Sequence, residues 1–128
     1  MTARVPRVMR SADLVPGPPT PGVDRLTAFE EDERWIGFSR AAPGTLSGWH
    51  HHGAHDSYFY VVGGTAYLEL ADGEQIRVRP GDFALLPAGT VHREGTEGDV
   101  ALEAVVIRLG SGPQVFPVDD PRPADEEA

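Results

Sequence analysis

Residues 44–64 read GTLSGWHHHGAHDSYFYVVGG, and residues 81–96 read GDFALLPAGTVHREGT. These two stretches hold all five histidines: His50, His51, His52, His55 and His92. On an extended strand, alternate side chains share a face. His50 and His52 therefore point one way and His51 the other. An H-x-H pair on one face, joined by a third imidazole from a distant strand, is a compact way to build a metal site. The plainer alternative is a polar surface loop at HHHGAH and a lone hydrogen-bonded His92. A cluster in mid-chain is no terminal tag, so the metal reading competes with that alternative on even terms.

Outward from these stretches the chain reads as short strands split by Gly, Pro and Asp. The expected strands cover 45–52, 58–62, 66–70, 75–78, 83–86, 91–95 and 100–109. Asp72-Gly73 lies between two of them and signals a hairpin. No segment holds a 3.6-residue apolar period over helical length. Many short strands at this spacing predict an all-β sandwich or barrel. Upstream, LTAFEEDERWIGFS predicts a strand, an acidic turn over Glu30 to Glu33 and a second strand, with a short helix over 29–34 as the alternative. Residues 1–24 are rich in Pro and Arg and predict an extended N-terminal arm, because Pro lacks the donor a sheet ladder needs. The barrel domain is expected over 25–117, and residues 118–128 read as an acidic, disordered tail.

Composition narrows the function classes. A chain of 128 residues supports one domain with a real core. It has no cysteine, which excludes disulfides, thiolate ligands and cysteine nucleophiles, and fits a cytoplasmic location. All 11 basic residues are arginine, so lysine chemistry is excluded. The formal net charge of −9 argues against nucleic acid and against anionic membranes as partners. No apolar run is long enough for a membrane helix, and the N-terminus lacks the apolar core of a secretory signal.

At the histidines the chain resembles the cupin family. The first cupin motif runs Gly, five residues, His-x-His, three or four residues, Glu, six residues, Gly. Here Gly44 is followed by TLSGW, His50-His51-His52 and a strand closing on Gly63-Gly64. The second runs Gly, five residues, Pro-x-Gly, two residues, His, three residues, Asn. Here Gly81, DFALL, Pro87-Ala88-Gly89, Thr90-Val91, His92, REG and Thr96 keep the spacing, with Thr in place of Asn. The resemblance covers 44–96. It implies a double-stranded β-helix, or jelly-roll, barrel with a metal on His50, His52 and His92, and a homodimer.

The motif glutamate, the family's usual fourth ligand, is missing. Asp56 fills its slot if Gly63 is the motif glycine, and Ser57 fills it if Gly64 is. The Gly64 register is preferred, because YVV-x-G followed by a Leu-Glu-Leu strand looks like the usual continuation. It turns Ser57, Phe59 and Val61 inward, whereas the Gly63 register turns Asp56, Tyr58, Tyr60 and Val62 inward. Glu94 lies two residues after His92 and shares its face on a regular strand. A buried carboxylate needs a partner, so Glu94 is a candidate fourth ligand or proton-transfer group. The alternative is a bend at Gly95 that lets it reach solvent. His55 is a further candidate from the intervening loop. Glu103 is a weaker one and reads as a surface residue. His51 is expected to face away from the metal.

Three imidazoles, with or without a carboxylate, suit Fe, Mn, Ni, Zn or Cu and leave open positions. The resemblance implies a small-molecule metalloenzyme, dioxygenase-like first and isomerase or lyase next. The competing expectation is a non-catalytic cupin that binds a metal or small ligand as a sensor or binding module. No helix-turn-helix or basic patch supports a regulator of transcription.

Overall fold

The computed structural model describes residues 5–18, 20 and 22–122. A 3-10 turn at Ser11–Asp13 precedes eleven strands. They are β1 (Val15–Pro16), β2 (Asp24–Glu31), β3 (Arg34–Ala41), β4 (His50–His51), β5 (Asp56–Gly63), β6 (Thr65–Leu70), β7 (Gln75–Val78), β8 (Phe83–Leu86), β9 (His92–Glu97), β10 (Leu102–Leu109) and β11 (Phe116–Pro117). Two antiparallel sheets form, in the orders β1-β2-β3-β10-β5-β8 and β11-β4-β9-β6-β7. Short crossings between sheets, through Gly64 from β5 to β6 and through residues 87–91 from β8 to β9, give the two-sheet barrel that the motifs imply.

Alternation along the strands builds the core. In β10, Leu102, Ala104, Val106 and Arg108 are buried in turn. In β3 the inward set is Trp35, Gly37, Ser39 and Ala41. In β5, Ser57, Phe59 and Val61 point inward, as the Gly64 register requires. These meet Ala66, Leu68, Val78 and Leu86 from the facing strands. This alternation of buried and outward side chains is what fixes the register of each strand.

The loops follow turn chemistry. Gly73 takes φ 92° in the β6–β7 hairpin, and Asp72 Oδ1 accepts the Glu74 N–H. The acidic segment after Phe29 forms a β2–β3 hairpin and not a helix, with its turn at Asp32-Glu33. Trp35 needs the pleated surface to reach the core, which outweighs local helical preference.

The strand expected over 45–52 contracts to His50–His51. Gly44 at φ 78° and the small residues after it release the segment from regular pairing. It still crosses β9 closely: Ser47 N–H donates to the Glu94 carbonyl at 2.7 Å, and Thr96 N–H to the Thr45 carbonyl at 2.9 Å. A Cβ at Gly95 would collide with the Thr45 carbonyl, so glycine is what permits this crossing.

Of the region expected as an arm, Val15–Pro16 pairs with β2 at the edge of the larger sheet. Residues 1–4, 19 and 21 lie outside the described residues, as do 123–128 of the expected acidic tail. The described start of that tail packs on the barrel. Val118 N–H donates to the Trp49 carbonyl, and the Arg122 guanidinium lies 5.4 Å from the Trp49 ring centre.

Candidate metal centre

β4 and β9 are neighbours, with His50 directly opposite His92. That pairing brings the two quoted stretches together. His52 follows β4 on the same face as His50. Glu94 follows His92 by two residues on β9. One donor atom from each of His50, His52, His92 and Glu94 lies within 4.8 Å of the others, so the four could hold one metal ion. The imidazole centres are 4.4 to 5.1 Å apart with their planes inclined by 51° to 72°, so the rings do not stack and are close enough to share an ion.

Each ring is held by its other nitrogen. His50 Nδ1–H donates to the Gly48 carbonyl at 2.8 Å, His52 Nδ1–H to Gln114 at 2.9 Å and His92 Nδ1–H to Thr90 at 2.9 Å. A carbonyl can only accept, so Nδ1 carries the proton and Nε2 presents a lone pair. This arrangement is what metal-ligating histidines use to fix their orientation. The Nε2 atoms of His50 and His92 are buried and have no hydrogen-bond partner. Two orphaned acceptors side by side are costly unless something electropositive joins them. The donor set therefore fits an ion.

The electrostatics agree. Burial pushes His52 down to about 2, aided by Arg108, and burial pushes His92 down as well. Both are neutral at pH 7, the form that ligates. Glu94 is ionised: burial alone would raise its pKa, but the Arg25 guanidinium beside it holds it well below the usual range. Arg25 Nη2 donates to Glu94 Oε1 at 3.0 Å, and His50 Nε2 lies 3.4 Å from the same oxygen.

The other candidates lie elsewhere. Asp56 Oδ1 accepts the Ala88 N–H outside the barrel. Ser57 is buried and lines the interior cavity without joining the four donors. His55 is buried, donates Nδ1–H to the His52 carbonyl and lines a separate outer pocket with Glu33 and Gln114. His51 turns away and stacks on Phe116 at 5.0 Å. Glu103 pairs with Arg40 at the surface.

Sequence reasoning missed Arg25, Arg108 and Gln114. Arg108 had a signal, since it continues the inward alternation Leu102, Ala104, Val106. Arg25 and the Gln114 carbonyl had none, because only tertiary packing brings them here. The interior cavity beside His52 and Glu94 measures about 20 Å³, and its walls include Val23, Arg25, Ser39, Phe59 and Leu102. That is room for roughly one water-sized group.

Residues 37–108 match the family model described as a cupin domain. The chain belongs to the cupin family. A stretch of 45 residues is 40% identical to the uncharacterized protein YdbB of Bacillus subtilis (strain 168), covering 35% of this cupin and 40% of that relative. Solved structures share the fold. A protein with a double-stranded β-helix domain from Klebsiella pneumoniae superposes with a TM-score of 0.72 at 19% identity, over 90% of this chain and 99% of that one. A predicted oxalate decarboxylase from Thermotoga maritima gives 0.69 at 17%, over 82% and 100%. The polyketide cyclase RemF from Streptomyces resistomycificus gives 0.69 at 22%, over 94% and 90%. At these identities the likeness is one of architecture.

Proposed function

We propose that this cupin is a small-molecule metalloenzyme whose mononuclear centre is held by His50, His52, His92 and Glu94. The observation that carries the reading is the pair of orphaned Nε2 atoms on His50 and His92, facing an ionised carboxylate in a buried site. Three neutral imidazoles and one carboxylate suit Fe, Mn, Ni, Zn or Cu. Bound there, such an ion supplies Lewis acidity and open positions for a small oxygenated molecule or dioxygen. A dioxygenase-like reaction ranks first and an isomerase or lyase reaction next.

The chain's own residues do the rest. The three backbone carbonyls fix the rings before anything binds, which lowers the ordering cost at the moment of binding. Arg25 fixes Glu94 and keeps it ionised. Val23, Phe59 and Leu102 exclude water from the reacting face.

Protein purified without an affinity tag is expected to carry close to one transition-metal ion per chain by elemental analysis. His50→Ala and His92→Ala should each lose it; unchanged occupancy in both would sink the assignment. The small cavity favours a second reading, a non-catalytic cupin that binds its ion or a small ligand as a sensor or binding module. A turnover lost in Glu94→Gln while the ion is retained would decide for the enzyme.

The outer face of the larger sheet exposes Tyr58, Val62, Phe83, Leu85 and Ile107, with Phe83 at 81%. Apolar patches of this kind mark association surfaces. A homodimer through this face is part of the proposal.

A further inference from the structure

The barrel interior holds more positive charge than the proposed centre uses. The Arg25 side chain is 3% exposed, and Arg108 is fully buried. Arg25 spends one nitrogen, Nη2, on Glu94. Its Nε and Nη1 are buried with no partner. Arg108 spends Nη1 on the Gln114 side-chain oxygen, and its Nε and Nη2 are buried with no partner. Among the described residues, Glu94 is the carboxylate that faces these two guanidiniums. Two cations against one anion leave a net charge of +1 inside the barrel with the histidines neutral, and a divalent ion would raise it.

A buried charge without a partner is expensive, and a guanidinium cannot escape by losing its proton at pH 7. An anion from outside satisfies both the charge and the free donors. The site that receives it is built. Arg25 lines the interior cavity together with Ser39, whose Oγ is also buried and unpartnered. The remaining walls are largely apolar, with Val23, Ala41, Phe59 and Leu102 among them. A planar carboxylate matches the guanidinium fork, whereas a tetrahedral phosphate needs more room and more donors.

We propose that the interior takes the carboxylate group of a small organic acid, held by Arg25 Nε and Nη1 and by Ser39 Oγ, with Arg108 as the second positive charge. The inference deepens the function proposed above, because His52 and Glu94 line the same cavity and would place the acid beside the ion. The anion site itself belongs to the protein and does not need the ion.

The test uses ¹⁵N-labelled full-length protein stripped of metal by chelation and exchanged into fresh buffer. Sodium acetate is titrated at constant ionic strength and followed through backbone and arginine Nε–H resonances, with acetamide as the uncharged control and inorganic phosphate as the second anion. Saturable shifts with acetate are expected, at least tenfold tighter than with acetamide or phosphate. Arg25→Gln should weaken acetate at least tenfold and Arg25→Lys less. Glu94→Gln should tighten it, because it removes the competing negative charge; this variant and Arg108→Gln carry the test if Arg25→Gln does not fold. Equal affinity for acetate and acetamide, binding of phosphate alone, or no saturation in either wild type or Glu94→Gln would overturn the proposal. Metal content measured on the same protein as purified, before chelation, separates the two readings. An ion without acetate binding refutes this inference alone, and acetate binding without an ion refutes the metal centre alone.

Discussion

A carboxylate at position 94 moves the fourth donor onto the strand that already carries His92. The motif position on β5 holds Ser57 instead, and Asp56 beside it points outward, because a slip of one residue reverses the face. Glu94→Gln keeps the shape and removes the charge. We expect metal affinity to fall about 10- to 100-fold, read by competition with a chromophoric chelator, as for other changes that strip charge from around a bound ion. Proton linkage gives a second prediction. His52 and His92 are held below their ordinary value of 6.5, so in acid the unfolded chain binds protons that the folded chain refuses. The stability this gives the metal-free protein is complete above pH 6.5. It should be lost as pH falls below that, at up to about 1.4 kcal/mol per pH unit for each histidine. Glu94, held below its ordinary value, adds a loss in the same direction below about pH 4.5. Thermal midpoints of chelator-treated protein between pH 7.5 and 5 check this, and a flat profile would contradict it. Strand alternation pairs His50 with His52 and His92 with Glu94; that the two pairs meet was only implied by the resemblance to the cupin motifs, and Glu94 stood beside His55, Asp56 and Ser57 as a candidate. The buried arginines were not legible, because nothing local distinguishes a buried guanidinium from one at the surface.

At the scale of elements, the centre depends on how β4 meets β9. That approach runs through Gly95, where a side chain would strike the Thr45 carbonyl. Gly95→Ala should therefore cost about 1–3 kcal/mol, measured by denaturant unfolding. It should also weaken metal binding, because Glu94 is the neighbouring residue and its carbonyl accepts from Ser47. An alanine variant of wild-type stability would show that the loop yields more easily than its contacts suggest. The strands from β5 to β10 were legible to within a few residues, because their alternation and their Gly and Pro boundaries agree. β4 was not. Its histidines read as a long strand, but the glycines at 44 and 48 allow an irregular crossing that a period-2 pattern cannot express. β1 and β11 were also invisible. Each is two residues long and is fixed by its partner strand, not by its own composition.

At the scale of the molecule, the exposed face of the larger sheet predicts association. Phe83, on the edge strand β8, meets the Tyr60 ring at 4.6 Å in a tilted arrangement. Phe83→Asp should convert a dimer to a monomer by light scattering and leave metal content unchanged. A wild-type protein that is monomeric at high concentration would remove the dimer from the proposal. The overall barrel was legible, since two spaced motifs and a run of short strands leave few alternatives. The filling of its interior was not, because cavity size depends on how side chains from both sheets interlock. The two sheets contribute different chemistry to that interior. His50, His52, His92 and Glu94 all hang from the smaller sheet or the residue that follows β4, while Arg25 and Arg108 belong to β2 and β10 of the larger one. The Arg25–Glu94 ion pair joins the two sets of charged side chains across the shared core. On this reading the barrel is modular for evolution. Substitutions in one sheet can retune which ion is held, and substitutions in the other can change which acid is admitted. Each half can drift while that ion pair and the shared core are kept.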